Sequence, residues 1–364
     1  MTPKKIQDTI TRYRSEILNG KYVYGQILPS EKELAGQLSL SRPTVAKIYN
    51  TLKREGLIRK TPGLGTTVIF NGETKRFTFG LLLPGAGESE IFGAIHDHFL
   101  SMERDKNVKF LWDGAIANDA QVRQNNIMKI CEHYIEERIK GVFFAPLERT
   151  EAATAINHKV CEFFEKQNIP IVLIDRDIES FPRRSKYHVV GLDNFNAGYV
   201  MARHLLDAGC ERILFFYRRD SANSVNMRIA GCRAACFDAG INFMKDHIVM
   251  GEPSDAVLVK KLPIIRGKTG ILCLNDSTAA VIMSTLKQIG TVVMKHVIVA
   301  GFDDMKYGKV LQPALTTYRQ PLKEIVAISH DMMVNKIQTA HEFGADVSLL
   351  GEVIARESTR FGGA

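Results

Sequence analysis

The stretch from Leu28 to Thr67, LPSEKELAGQLSLSRPTVAKIYNTLKREGLIRKTPGLGTT, constrains the fold of this 364-residue chain more than any other, because it packs two helix starts and a tight turn into 40 residues. Ser30 followed by Glu33 is a capping-box pattern with Pro29 just outside it, so a helix starts there and turns Leu34 and Leu38 inward. Ser41 can cap the next helix in the same way, and Pro43 falls in its first turn, where a missing N–H leaves nothing unpaired. Val45, Ile48 and Leu52 then share one face, which leaves Arg42, Thr44 and Lys47 pointing outward near the helix start. Upstream, Ile6, Ile10, Tyr13 and Ile17 recur at helical spacing until Asn19-Gly20 ends that element. Downstream, Gly63 and Gly65 allow a tight turn between two short strands.

Three helices followed by a two-stranded wing predict a winged helix-turn-helix, an α+β domain that reads double-stranded DNA. The start of its third helix is what such a domain offers to the major groove. There Arg42 can donate two hydrogen bonds to guanine O6 and N7, worth about 1–3 kcal/mol of discrimination. Ser41, Thr44 and Lys47 lie beside it, and Thr66 with the backbone at Gly63 and Gly65 is expected to meet phosphates. A solvated helix face would explain Arg42 and Lys47 taken singly; the spacing of the helices and the wing favours DNA. Charge points the same way. Residues 1–76 hold 14 Lys and Arg against 6 Asp and Glu, leaving 34 of each for residues 77–364, so the entire formal excess of +8 lies in the first fifth of the chain.

Residues 71–76, Asn-Gly-Glu-Thr-Lys-Arg, are polar and without apolar periodicity, as suits a linker between a DNA-binding domain over 1–70 and a second part over 77–364. In that second part short apolar runs alternate with helix-length segments: 79–83, 108–112, 141–145, 171–174, 188–192, 212–217, 270–274 and 297–301. Such alternation predicts parallel sheets covered by helices on both faces. Eight strands exceed one comfortable sheet, so two α/β lobes are expected, the first over about 77–188 and 319–345, the second over about 189–318 and 346–360.

Ligands of such sheets bind beyond the carboxyl ends of the strands, and the residues there are polar: Asp175 and Arg176, Asn275 and Asp276, Phe302, Asp303 and Asp304, with Ser224 and Arg228 at the start of a helix, and Glu88 and Phe92 after the first strand. Carboxylates, an amide, guanidiniums and aromatic rings suit a polyhydroxylated ligand, whose hydroxyls both donate and accept while its C–H face packs on a ring. Asp303 and Asn275 would serve as helix caps in any case. Four strand ends with the same pattern favour a shared cleft.

Two resemblances sharpen this reading. Residues 5–70 resemble the GntR family of bacterial transcription regulators, through the run from Gly25 to Ala35 (G-x-x-L-P-S-E-x-E-L-A), Ser41-Arg42-x-Thr44-Val45, Leu52-x-x-Glu55-Gly56-Leu57-Ile58 and Gly63-x-Gly65-Thr66. The resemblance implies DNA-contacting positions at Lys32, Arg42 and Thr44. Ala46 stands where family members usually carry an Arg, and Leu64 at a wing tip that is often polar, which throws base reading onto Arg42 and Thr44. Residues 77–360 resemble the LacI/GalR effector domain, which has the periplasmic sugar-binding-protein fold. The stretches 189–216, 223–241, 274–280, 299–308, 311–321 and 355–358 carry that likeness. It implies inducer contacts at Asp175, Ser224, Arg228, Asn275, Asp303 and Gln320.

The expected protein is a cytoplasmic, homodimeric repressor that binds a near-palindromic operator and is released by a small sugar, a monosaccharide, with no cofactor and no metal. A sugar phosphate or purine remains open as effector, since Arg176 and Arg228 could serve a phosphate. A sugar-binding transport component would have no use for residues 1–76. An enzyme is disfavoured because no P-loop or G-x-S-x-G elbow is present and the ten histidines are scattered. The six cysteines form no C-x-x-C pair and read as thiols in a reducing compartment, and no apolar run is long enough to span a bilayer.

Overall fold

The computed structural model describes residues 3–18, 20–61, 65–70, 77–84, 91–105, 108–113, 120–148, 152–180, 182–219, 221–222, 224–339 and 344–361. Gly63, Leu64, the 71–76 linker and Glu88 lie outside these. The chain divides into two compact units, Met1–Arg76 and Phe77–Ala364.

In the first unit α1 (Pro3–Leu18) is followed by β1 (Ile27–Leu28), α2 (Glu31–Leu38), α3 (Arg42–Arg54), β2 (Ile58–Thr61) and β3 (Gly65–Val68). Both sides of the capping box on α2 are made: Ser30 Oγ accepts from Glu33 N–H at 3.2 Å and Glu33 Oε2 from Ser30 N–H at 2.8 Å. Ser41 caps α3, with Pro43 in its first turn. Ile10, Tyr13 and Ile17 of α1 pack with Leu34, Val45, Ile48 and Leu52 into one core. The wing has a third strand that the apolar pattern did not announce, since the two-residue β1 pairs antiparallel with β3. Arg14 clamps Glu55 with both arms of its guanidinium, Nε to Oε2 at 2.9 Å, which ties α1 to the end of α3.

The second unit begins with β4 (Phe77–Leu82), α4 (Ile91–Asp105), β5 (Val108–Leu111), α5 (Ala120–Glu136), β6 (Val142–Phe144), α6 (Ala153–Lys166), β7 (Ile171–Ile174) and β8 (His188–Leu192). The chain then builds a second lobe from α7 (Asn194–Asp207), β9 (Arg212–Tyr217), α8 (Ser224–Asp238), β10 (Ile248–Met250), α9 (Ala256–Lys260), β11 (Thr269–Cys273), α10 (Asp276–Gln288), β12 (Val297–Phe302) and β13 (Thr316–Arg319). It returns for α11 (Leu322–Thr339) and β14 (Asp346–Leu349), and crosses again to β15 (Glu352–Ile354). Each lobe holds one six-stranded sheet, ordered β14-β8-β7-β6-β4-β5 and β10-β9-β11-β12-β13-β15. All pairings are parallel except β13 with β15. Helices cover both faces: α4 and α11 against α5 and α6 in the first lobe, α7 and α8 against α9 and α10 in the second.

The lobe boundaries differ from the expectation. Strands β8 and β14, assigned from sequence to the second lobe, belong to the first, where β8 pairs with β7 and β14 with β8. An apolar run such as HVVGL states that it is a buried strand and not which sheet receives it. The crossovers consequently fall at residue 193, residues 320–321 and residues 350–351. At the third, a Cβ on Gly351 would lie 2.1 Å from the Arg319 carbonyl oxygen, so only glycine fits.

Candidate functional site

On the first unit, Lys32, Ser41, Arg42 and Lys47 are exposed and Thr44 is half-buried. Ser41 Oγ and Thr44 Oγ1 are 2.8 Å apart, so the cap that starts α3 also orients the Thr44 hydroxyl. Lys47, Asn50, Thr51, Lys53 and Arg54 line a concave face along α3, which extends the basic surface beyond the residues singled out from sequence. Gly65 sits at φ +92, which requires glycine at the base of the wing turn.

Thr66 does not offer its hydroxyl to a phosphate, against the expectation from sequence: the residue is buried (5% exposed). Strand alternation is the reason: β3 turns Thr66 and Val68 into the core.

In the second unit the strand ends bring four of the candidate effector residues, Asp175, Arg176, Arg228 and Asp303, into one electrostatic neighbourhood. Asp175 and Arg176 follow β7, with Asp175 at φ +71 and its N–H donating to Val190 O at 2.9 Å. A Cβ on Gly191 would lie 2.6 Å from the Asp175 carbonyl oxygen, so that close approach needs glycine. Arg176 Nε reaches Asp175 Oδ2 at 2.9 Å and its Nη1 lies 2.5 Å from Glu148 Oε2, with all three side chains nearly buried. Its guanidinium carbon is 5.5 Å from the centroid of the Phe92 ring on α4. Burial works against the Arg176 charge, but Glu148 and Asp175 outweigh it and hold the group above its ordinary pKa. Glu148 was missed in the sequence, where nothing but its place four residues past a strand marks it.

Across the lobes, Arg228 on α8 donates from Nε to Asn194 Oδ1 at 2.8 Å and from Nη1 to the Leu274 carbonyl at 2.6 Å. Its guanidinium carbon lies 4.3 Å from the centroid of the Phe302 ring. Burial lowers its pKa, opposed first by Asp303 and then by Asp175, so a residue of the second lobe feels a carboxylate of each lobe. Arg228 is placed by the α7–α8 contact: a Cβ on Gly198 would lie 2.0 Å from the Arg228 carbonyl oxygen, and one on Gly231 2.0 Å from that of Phe195. Asp303, at φ +109, accepts from Gln320 Nε2 at 2.6 Å, which links a strand end to the second crossover. Gln320 Oε1 is buried and makes no hydrogen bond among the described residues.

Asn275 caps α10, its Oδ1 accepting from Thr278 N–H at 2.9 Å, and Ser224 is the half-buried first residue of α8. All six cysteines are buried and free. Among the described residues no cluster of His, Cys, Asp and Glu could hold a metal ion, and no helix is long and apolar enough to cross a membrane.

Comparison with known proteins agrees with this geometry. Residues 6–68 match the bacterial regulatory proteins of the gntR family, and residues 202–359 match a periplasmic binding protein-like domain. The arabinose metabolism transcriptional repressor of Geobacillus stearothermophilus is 25% identical over 361 residues, 95% of each chain. That of Halalkalibacterium halodurans is 24% identical over 339 residues, 89% of this chain and 87% of the relative. The transcription regulator CcpA of Lactococcus lactis superposes with a TM-score of 0.64 at 17% identity, covering 79% of this chain and all of that one. A LacI-family regulator from Enterococcus faecium solved with bound ribose gives 0.62 at 20% identity, again over 79% of this chain and all of that one. The chain joins a GntR-type helix-turn-helix domain to a two-lobed periplasmic-binding-protein-like domain.

Proposed function

We propose that this chain is a ligand-responsive transcriptional repressor of sugar-utilisation genes, released from its operator when a neutral monosaccharide such as L-arabinose fills the cleft between its two lobes. The observation that carries the choice of a neutral sugar is the state of the two cleft guanidiniums. Arg176 is engaged by Asp175 and Glu148, and Arg228 by Asn194 and the Leu274 carbonyl. Three carboxylates, Glu148, Asp175 and Asp303, face these two cations, so the cleft holds no surplus positive charge for a phosphate. The repressors named for arabinose metabolism, similar over nearly the whole chain, support the same choice.

In this reading Lys32, Arg42, Thr44 and Lys47 face DNA. Phe92, Asp175, Arg176, Ser224, Arg228, Asn275, Phe302, Asp303 and Gln320 line the effector site. The repressor acts in the cytoplasm as a homodimer on a near-palindromic operator, with no catalytic role and no cofactor. The sugar must favour the weakly binding state; a swing from 1:99 to 99:1 needs about 10⁴-fold differential affinity, roughly 5.5 kcal/mol. By reciprocity the operator weakens sugar binding by the same factor.

A thermal-shift panel of pentoses, hexoses, sugar phosphates and nucleobases tests this. A ligand at 100 times its dissociation constant adds about 2.7 kcal/mol of stability. Stabilisation by a neutral pentose or hexose that also releases operator DNA is the expected outcome. Stabilisation by sugar phosphates alone would overturn the choice of a neutral sugar.

A further inference from the structure

We infer that Asp276 and Thr317 are positioning residues for the effector site: together they hold the loop 303–305, and with it the Asp303 carboxylate, in a conformation the loop would not keep alone. That this loop serves the effector rests on the reading above; that the pair holds it does not.

The loop leaves β12 with two non-glycine residues at positive φ, Asp303 at +109 and Asp304 at +50. Such a backbone persists only where its surroundings fix it. Three successive amides are fixed. Asp303 N–H donates to Tyr318 O at 2.9 Å. Asp304 N–H donates to Thr317 Oγ1 at 3.1 Å, and Met305 N–H to Asp276 Oδ2 at 2.8 Å. The Thr317 hydroxyl lies 2.6 Å from Asp276 Oδ1, so one buried hydroxyl and one buried carboxyl group accept two neighbouring N–H groups and are bonded to each other. Both side chains are wholly buried.

The backbone around the pair is shaped to admit it. A Cβ on Gly301 would lie 2.4 Å from Asp276 Oδ1, so the carboxyl group approaches β12 where glycine leaves room. Asp276 directly follows Asn275, the cap of α10, so the helix start, the strand end and the loop are joined at one point. With the amides held, Asp303 Oδ1 meets Gln320 Nε2 at the second crossover, while the Asp304 carboxylate is taken by Arg319 Nε at 2.7 Å and by Arg356. Without them, the two positive-φ residues can relax and the Asp303 carboxylate leaves its place.

The test uses the full chain. Hydrogen exchange of the segment 303–309 is followed in the wild type and in Thr317→Val, Thr317→Ser and Thr285→Val. Thr285 is an equally buried threonine of α10 whose hydroxyl bonds Pro253 O, away from the loop. Thr317→Val is expected to speed exchange of the segment roughly tenfold, the effect of losing about one buried hydrogen bond. Thr317→Ser should restore it and Thr285→Val leave it unchanged. L-arabinose affinity should fall by a similar factor in Thr317→Val alone. Unchanged exchange in Thr317→Val, or equal acceleration in Thr285→Val, would overturn the assignment, as would full sugar affinity in Thr317→Val. A wild type that does not bind L-arabinose while exchange behaves as expected removes the choice of sugar and leaves the positioning role standing.

Discussion

The guanidinium of Arg228 lies 4.3 Å from the centroid of the Phe302 ring, with both side chains buried and two of the guanidinium nitrogens already bonded to the chain. A flat cation stacked on a ring and forked between an amide and a carbonyl is work for arginine and not for lysine. Arg228→Lys should therefore give a protein that binds operator DNA like the wild type and fails to leave it when sugar is added. Operator titrations with and without L-arabinose check this; full induction in the variant would take Arg228 out of the site.

The Arg176–Glu148 pair should behave as a buried ion pair. Glu148→Gln leaves Arg176 with Asp175 as its one ionic partner among the described residues and should cost about 1–3 kcal/mol in urea unfolding. Arg176→Met strips the cation from both Glu148 and Asp175, and combining it with Glu148→Gln should cost less than the sum of the two single changes, because one of the two stranded carboxylates is then gone. Additive losses in the double-mutant cycle would mean that the two side chains do not interact.

At the DNA face, Arg42→Ala should reduce selectivity for the operator over unrelated DNA by about tenfold to a hundredfold, the 1–3 kcal/mol of a bidentate guanine contact. Sugar affinity should not change. Competition binding at fixed salt measures it, because salt alone moves affinities of this kind.

Asp276 should tilt the pH profile of stability. Burial first, and then the nearby Asp303, push its carboxyl from 3.8 up to about 8, against the hydrogen bonds from Thr317 and Met305 that lower it; Asp304 raises it further. A carboxyl that holds its proton more tightly when folded stabilises fully below its unfolded pKa, and that contribution is lost as pH rises toward 8. Asp276→Asn mimics the neutral acid, with an amide that can donate to Thr317 Oγ1 and accept from Met305 N–H. It should flatten the fall in stability between about pH 4 and pH 8. Parallel pH profiles for variant and wild type would contradict the shift.

Much of this was written locally. The Ser30–Glu33 box, the Ser41 cap and the eight apolar runs all reappear as elements, since each depends on neighbours within a few residues or on simple burial. What escaped depends on contacts distant in the chain. Strands β13, β14 and β15 lie at or near sheet edges with short or polar-interrupted patterns; β8 and β14 joined the sheet the chain was expected to leave; Thr66 obeys a register that becomes visible once β1 is known to pair with β3. Glu148 carries no motif of its own and becomes meaningful through Arg176; Asp276 is legible as a polar strand-end residue, but its bond to Met305 N–H is not.

Gly231 is the sharpest case of a residue silent in the sequence and decisive in the fold. A Cβ there would lie 2.0 Å from the Phe195 carbonyl oxygen and 2.7 Å from the Tyr199 backbone nitrogen, so the obstruction is backbone and no rotamer change can relieve it. Gly231→Ala must push α7 and α8 apart, opening a core in which Ala197, Met201, Cys232 and Ala235 are fully buried. The cost should be about 1–3 kcal/mol or somewhat more. Arg228 stands just before Gly231 on the same helix and reaches across to Asn194 on α7, so the separation also withdraws its Nε bond. We expect a lower melting temperature together with weakened sugar affinity. Gly240→Ala supplies the contrast: it lies past the end of α8 at φ +68 with nothing within 4 Å of its Cβ, so it should lose stability through backbone strain alone and keep its affinity. A Gly231→Ala protein that melts and binds like the wild type would mean the helices are not in backbone contact there.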